Sequence, residues 1–415
     1  MAHSARTHTA VERRSPVSET TPSHLVEGRS MTTSYGFLST YAPTQCGLAT
    51  FSGALLAALT SPSDAVGVVA VVDTPQPSPV DAIDHQWVRG EPDGAALAAA
   101  RLSTYDVAIV QHEYGIFSGT DGADVLDVLR AVTVPVISVL HTVQTSPTPH
   151  QREILEEVVA LSDAVVTMTE TASDRLRAGY AVDPTKVRVI PHGALDRRPS
   201  TVPEPGPALE GYDEGRRPVI LTWGLLGTGK GIEWAIAAMP ELRDVDPLPV
   251  YHVVGETHPK VVEREGERYR RGLEAQVMEL GAEDLVVFDA RYISTADLQR
   301  LVHTADVVLL PYDSQEQVTS GVLVEAVTAR RPVVSTAFPH AQELLSSGAG
   351  LLVDRRSPAA IAAALRRVLT EPGLAAAMTV EASRIAPRLL WPAVADEYRR
   401  LARHLRQAQP ARESA

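Results

Sequence analysis

Two doubly wound, Rossmann-like α/β domains are predicted by three features of this 415-residue sequence. Short apolar runs alternate with longer Ala-rich stretches of helical period, the pattern of βαβ units and a parallel sheet. A polar, Pro-rich stretch at 197–217 interrupts that alternation, which then restarts. The length also suffices for two sizeable cores.

In the first half, the predicted strands are Tyr35–Ser39, Val66–Val72, Asp106–Gln111, Pro135–Leu140, Ala164–Thr167 and Val187–Ile190. Those of the second are Pro218–Gly224, Val250–Gly255, Leu285–Asp289, Asp306–Pro311, Pro332–Ser335 and Gly350–Val353. The expected boundaries are a disordered leader at 1–30, a first domain at 31–196, a linker at 197–217 and a second domain at 218–390. A C-terminal helix at 391–408 carries Trp391, Val394, Tyr398, Leu401 and Leu405 on one side and is expected to rejoin the first domain.

Composition narrows the function. Lys and Arg number 38 against 51 Asp and Glu, a formal net charge of −13, which argues against a nucleic acid backbone as partner. No run approaches eighteen apolar residues, so no transmembrane span is expected, although peripheral membrane contact stays open. The single cysteine, Cys46, rules out an internal disulfide and the usual Cys-based zinc site. No base can be assigned to make Cys46 a nucleophile. The leader has no apolar h-region, which leaves the cytoplasm as the default compartment.

The most informative stretch is Leu221–Gly231, LTWGLLGTGKG, a strand entering a glycine-rich turn and then a helix. Gly224, Gly229 and Lys230 have Walker A spacing, but Gly231 stands where the magnesium-binding Ser or Thr belongs. The strand 306–311 ends in proline rather than a Walker B aspartate. The turn still offers backbone N–H groups and one ammonium, suited to holding a phosphate. Only three lysines occur in the chain, so Lys230 between two glycines favours that use over plain solvation.

A second anchor is Gln315–Thr336. Thr319, Ser320 and Gly321 are expected to cap a helix running through Glu325 to about Arg330. The N–H groups at Gly321 and Val322 make a second anion site. Side chains on a helix lean toward its N-terminus, so Glu325 would reach a group bound there. The alternative is a surface glutamate on an apolar helix. In the first half, the loop Ala42–Leu48, containing Gly47, lies at the ligand-binding end of the sheet. His112, Glu113 and Tyr114 end one further strand, and His141 and Thr142 another. Each histidine has a core reading as well as a site reading. Asp244-Val245-Asp246 matches a metal-binding D-x-D only superficially and reads as a solvated loop.

From Tyr35 to Arg406, the chain resembles glycosyltransferase family 4, retaining enzymes of GT-B fold whose two Rossmann-like domains face a central cleft. The resemblance rests on an ordered set: Gly47, His141, Ile190-Pro191-His192-Gly193, Gly224, Lys230-Gly231, Ser320-Gly321, Glu325-Ala326 and Arg331-Pro332-Val333-Val334. It implies a hexosyltransferase moving a sugar from a nucleotide diphosphate donor, of GDP-mannose or UDP-glucose type, to a carbohydrate or other hydroxyl acceptor, with no metal or other cofactor. Lys230 would then bind the diphosphate and Glu325 the ribose. Gly321 and Val322, opened by Ser320, would hold the β-phosphate. Backbone near Tyr292 would face the base, and His141 would align the sugar. Gly47 and Leu48 would close over the phosphates, with His112, Glu113 and Tyr114 on the acceptor side.

Two departures stand out. Leu225 occupies the place of the family's second phosphate-binding cation, which leaves the charge to Lys230 and the helix N-terminus, or to an arginine such as Arg291. Gln317 stands where a sugar-contacting glutamate is usual, with Glu316 one residue out of register; its amide can still bond sugar hydroxyls. These departures sustain a second reading, a degenerate protein of this fold that binds a nucleotide or glycan without transfer. A phosphorylase or epimerase of the same fold is a third.

Overall fold

The computed structural model describes Met1 and residues 32–60, 65–77, 81–196, 217–291 and 295–408, with the backbone alone at 295 and 296. Nearly all of the expected leader and linker therefore lies outside the described residues. Thr33–Ala415 forms one compact unit.

The first half of that unit runs β1 (Tyr35–Ser39), α1 (Gly47–Leu59), β2 (Val66–Val72), β3 (Ile83–Val88), α2 (Gly94–Leu102), β4 (Val107–His112), α3 (Val125–Ala131), β5 (Val136–Leu140), α4 (Pro149–Leu161), β6 (Ala164–Thr167), α5 (Glu170–Gly179) and β7 (Val187–Val189). The second runs β8 (Val219–Trp223), α6 (Ile232–Ala238), β9 (Val250–Val254), α7 (Pro259–Glu265), α8 (Arg268–Glu279), β10 (Val286–Asp289), α9 (Thr295–Thr304), β11 (Val307–Leu310), α10 (Gly321–Thr328), β12 (Val333–Thr336), α11 (Pro339–Leu345), β13 (Gly350–Val353), α12 (Pro358–Thr370) and α13 (Leu374–Ile385). The last helix, α14, spans Trp391–Ala408.

These strands make two all-parallel sheets, ordered β3-β2-β1-β4-β5-β6-β7 and β10-β9-β8-β11-β12-β13. This is the two-domain α/β arrangement. Each sheet is covered on both faces because alternate strand residues point to opposite sides. In β1, Tyr35 and Phe37 join one cluster with Phe51, Leu55 and Tyr398, while Leu38 joins another with Ala98, Leu126 and Leu155. In β8, Ile220 packs with Ile236 and Leu365, while Leu221 and Trp223 pack with Leu323 and Phe338.

Helix α14 returns to the first sheet. Its buried stripe of Trp391, Val394, Tyr398 and Leu401 lies in the same cluster as α1, and Arg399 Nη2 donates to the Ala58 carbonyl at 2.7 Å. Strand β3 was not among the expected strands. This strand, IDHQWV, is an edge partner of β2 with a register shift at Val68/Val69, and only Trp87 within it is buried. A half-wet edge strand lacks the continuous apolar run of the interior strands. No helix among the described residues is long and apolar enough to cross a membrane.

The order of each sheet reverses once, between β1 and β4 and between β8 and β11. In open α/β sheets, the crevice beyond such a reversal receives the ligand. The loops there are Thr40–Cys46 and Glu113–Asp124 in the first domain, and Gly224–Gly231 and Pro311–Ser320 in the second.

Candidate functional site

The turn after β8 is shaped by its glycines. Gly224 has φ +114° and Gly231 has φ +66°, backbone that favours glycine. Gly231 is also sterically confined: a β-carbon there would lie 1.9 Å from the Pro311 carbonyl oxygen. The loop after β11 thus presses on the turn, and Asp313 N donates to Gly229 O at 2.9 Å. Asp313 is in turn held by Arg355 at 2.8 Å and Arg356 at 2.6 Å. Between these supports, the Lys230 ammonium lies over the Tyr312 ring, 4.4 Å from its centroid. That cation–π contact is worth on the order of 1 kcal/mol and fixes where the charge sits.

The second anchor adjoins the first. Ser320 caps α10, its Oγ accepting from Leu323 N at 3.3 Å, and its own N–H donates to His340 Nδ1 at 2.8 Å. A β-carbon on Gly224 would approach the Val322 side chain to 3.8 Å, so the turn and the start of α10 are neighbours. Glu325, one turn into α10, accepts at Oε2 from the Trp223 indole N–H at 3.3 Å. Trp223 immediately precedes Gly224, so the last residue of β8 ties the carboxylate to the glycine turn. Neither Trp223 nor His340 carries a local sequence signal for this role.

The first domain brings His141 to the cleft. Its Nε2 bonds Gln111 Oε1 at 2.7 Å, and its ring meets Phe51 edge-on at 5.0 Å. Desolvation, with His192 and His112 close by, lowers its pKa to about 3, so the imidazole is neutral at pH 7. His192 packs on the same Phe51 ring, and its Nε2 lies 2.9 Å from where a β-carbon on Gly321 would stand. Glycine at 321 thus lets the two domains meet at the start of α10. His112 is buried, its pKa lowered to about 4 by desolvation, and neither ring nitrogen has a hydrogen-bond partner among the described residues. Tyr114 Oη donates to Gln151 O at 3.1 Å. Burial raises the Glu113 pKa, while Thr142 Oγ1, Tyr114 N–H and the Lys260 charge oppose that shift.

The remaining candidates are placed as follows. Gly47 opens α1 with free space where a β-carbon would stand, and Leu48 is half-buried against the first-domain core. The Gln317 amide donates to Thr319 O at 3.1 Å, bracing the approach to α10. Glu316 turns the other way and binds Thr145, with Arg175 at 3.0 Å, across the cleft. Cys46 Sγ accepts from Ala49 N and caps α1. Arg291 is engaged by Asp289 at 2.7 Å. Asp244 pairs with Arg366 at 2.7 Å, an exposed ion pair. Tyr292 lies outside the described residues. Among the described residues, no three His, Cys, Asp or Glu side chains are grouped to hold a metal ion.

Two parallel-sheet domains, with a glycine turn and a capped helix at the switch point of the second sheet, fit the GT-B architecture. Residues 217–371 match the family described as Glycosyl transferases group 1, and this segment is a domain of that kind. The chain is 28% identical over 279 residues to the D-inositol 3-phosphate glycosyltransferase of Acidothermus cellulolyticus, covering 62% of this chain and 59% of the relative. The Segniliparus rotundus protein of that name is 29% identical over 281 residues, covering 63% and 59%. The chain thus spans about three-fifths of these relatives' length. Among solved structures, Anabaena HepE in complex with UDP and glucose superposes with TM-score 0.67 at 17% identity, over 90% of this chain and 100% of that one. Sucrose-phosphate synthase from Thermosynechococcus elongatus gives 0.69 at 19%, over 91% and 100%. These two likenesses speak to the fold.

Proposed function

We propose that the protein is a retaining glycosyltransferase, moving a sugar from a nucleotide diphosphate donor to an acceptor hydroxyl. The observation that carries this reading is the Trp223–Glu325 bond, which holds a carboxylate beside the Lys230 turn. A phosphate binder needs the lysine and the N–H groups; a carboxylate held next to them suits the ribose hydroxyls of a nucleotide. The relatives' names and the UDP-bound state of HepE point the same way.

The barrier in such a transfer is cleavage of the sugar–phosphate bond as charge builds on the departing diphosphate. Lys230, fixed over Tyr312, and the N–H groups opening α10 oppose that charge without rearranging during the reaction. His141, neutral and anchored to Gln111, is suited to orient a sugar hydroxyl rather than to supply a positive charge. The reading includes a front-face course, in which the leaving phosphate takes the acceptor's proton and the anomeric configuration is kept.

The test is a thermal-shift screen with UDP, GDP, ADP and their sugars, followed by product analysis with the donor that binds. A saturable shift with a nucleoside diphosphate and sugar release dependent on Lys230 are expected. Binding with no release from any donor would favour the nucleotide-binding alternative instead.

A further inference from the structure

The segment between β11 and α10 forms no helix or strand, yet each backbone carbonyl from Gln315 to Thr319 finds its own partner. The second domain supplies two of these: His340 N–H donates to Gln317 O at 3.4 Å, and the Gln317 amide to Thr319 O at 3.1 Å. The other three are held from the first domain. Arg175, in α5, donates through Nη2 to Gln315 O at 3.3 Å and through Nη1 to Glu316 O at 3.1 Å. Thr169 Oγ1, at the cap of the same helix, donates to Val318 O at 3.1 Å. Carbonyls outside helices and sheets need such individual partners, so whatever holds them fixes the path of the chain.

The acid one residue out of register belongs to this arrangement. Glu316 Oε2 accepts from Arg175 Nη1 and from Thr145 N–H, each at 3.0 Å, and Oε1 accepts from Thr145 Oγ1. Partial burial acts to raise the Glu316 pKa, but the Thr145 bonds and the Arg175 charge outweigh it and hold the carboxyl below its usual range. The Glu316 side chain is 50% exposed, so the ion pair alone contributes little. Its part is to orient a guanidinium that is only 16% exposed and whose fork spans two successive carbonyls.

We propose that Arg175 is a positioning residue for donor binding: from the first domain it holds the 315–319 segment of the second, and so places Gln317 and the start of α10 against the donor. Gln317 directly follows the carbonyl that Arg175 holds, and Ser320 caps the helix whose first N–H groups face the phosphate. Donor affinity therefore depends on a contact between the domains, and Arg175 acts through the chain rather than on the donor. The inference deepens the transferase reading and rests on it.

The test titrates UDP or GDP, whichever the wild type binds, by calorimetry into wild type, Arg175→Ala, Arg175→Lys and Glu343→Ala. Glu343 makes a different contact between the domains, from α11 to the start of α5, and controls for a generally loosened interface. Arg175→Ala is expected to weaken the nucleotide roughly tenfold or more, the loss of two hydrogen bonds from a charged donor. Arg175→Lys keeps the charge beside Glu316 but not the fork, so its affinity should fall between the two; it carries the test if the alanine variant does not fold. Glu343→Ala should bind within about twofold of wild type. With a donor that turns over, Arg175→Ala should raise the donor KM and leave the acceptor KM near its wild-type value. Wild-type affinity in the Arg175 variants overturns the inference and leaves the transferase reading intact, as does an equal loss in Glu343→Ala. Failure of every nucleoside diphosphate to bind wild-type protein would remove the transferase reading and this inference together.

Discussion

The Trp223 indole N–H donates to Glu325 Oε2 at 3.3 Å, joining the end of β8 to the first turns of α10. Trp223→Phe keeps most of the ring in the core and deletes only the donor. A hydrogen bond to a charged group is worth about 1.5–3 kcal/mol, so the donor KM should rise roughly tenfold or more while kcat changes less. Steady-state kinetics separates the two; a fall in kcat alone would contradict the ribose assignment of Glu325.

Lys230→Ala should lower kcat by roughly 10²–10³, the usual cost of losing one preformed donor to a leaving oxyanion. Tyr312 should keep the turn folded without the lysine. Turnover unchanged from wild type would refute the assignment.

His340 is buried, with its pKa lowered to about 3 by desolvation and by His192. In the unfolded chain, a histidine titrates near about 6.5. The unfolded state therefore binds a proton that the folded state refuses, and stability falls as pH drops from about 6.5 toward 3. His340→Gln should remove one proton from that dependence, about 1.4 kcal/mol per pH unit between roughly pH 6 and 4. Urea melts at several pH values read the slope directly, apart from the separate cost of disturbing the Ser320 N–H bond.

Much of this architecture was legible because interior parallel strands are continuous apolar runs and their ends carry the glycines. All twelve expected strands begin and end within a residue of observed ones, and β1, β2, β6 and β13 coincide with them. Ser320 could be read as a cap from its place before an apolar helix. What stayed hidden depends on distant partners. Trp223 looks like any apolar strand residue until Glu325 meets it, and nothing in the local pattern marks Arg175 and Glu316 as neighbours.

Glu343 reaches from α11 to the start of α5, accepting from Glu170 N and Thr171 N at 2.9 Å each and from Thr171 Oγ1 at 2.8 Å. It caps a helix of the other domain. Glu343→Ala should cost about 0.5–2 kcal/mol, as lost caps do, measurable as a lower urea midpoint.

Gly231→Ser would complete the Walker A pattern on paper. The variant should instead lose about 1–3 kcal/mol or more through strain at φ +66° and the clash with Pro311 O. Differential scanning calorimetry, together with a magnesium-nucleotide titration, checks both halves: a lower Tm and no gain in magnesium-dependent affinity.

That clash has a wider consequence for how such turns diverge. A single carbonyl oxygen at the end of β11 vetoes every side chain at position 231, so the route from this turn to a metal-binding phosphate loop is closed by a contact far away in sequence. Any lineage crossing between the two chemistries would first have to move the neighbouring strand's exit loop. The glycine is thus held in place by its neighbour as much as by the turn it makes.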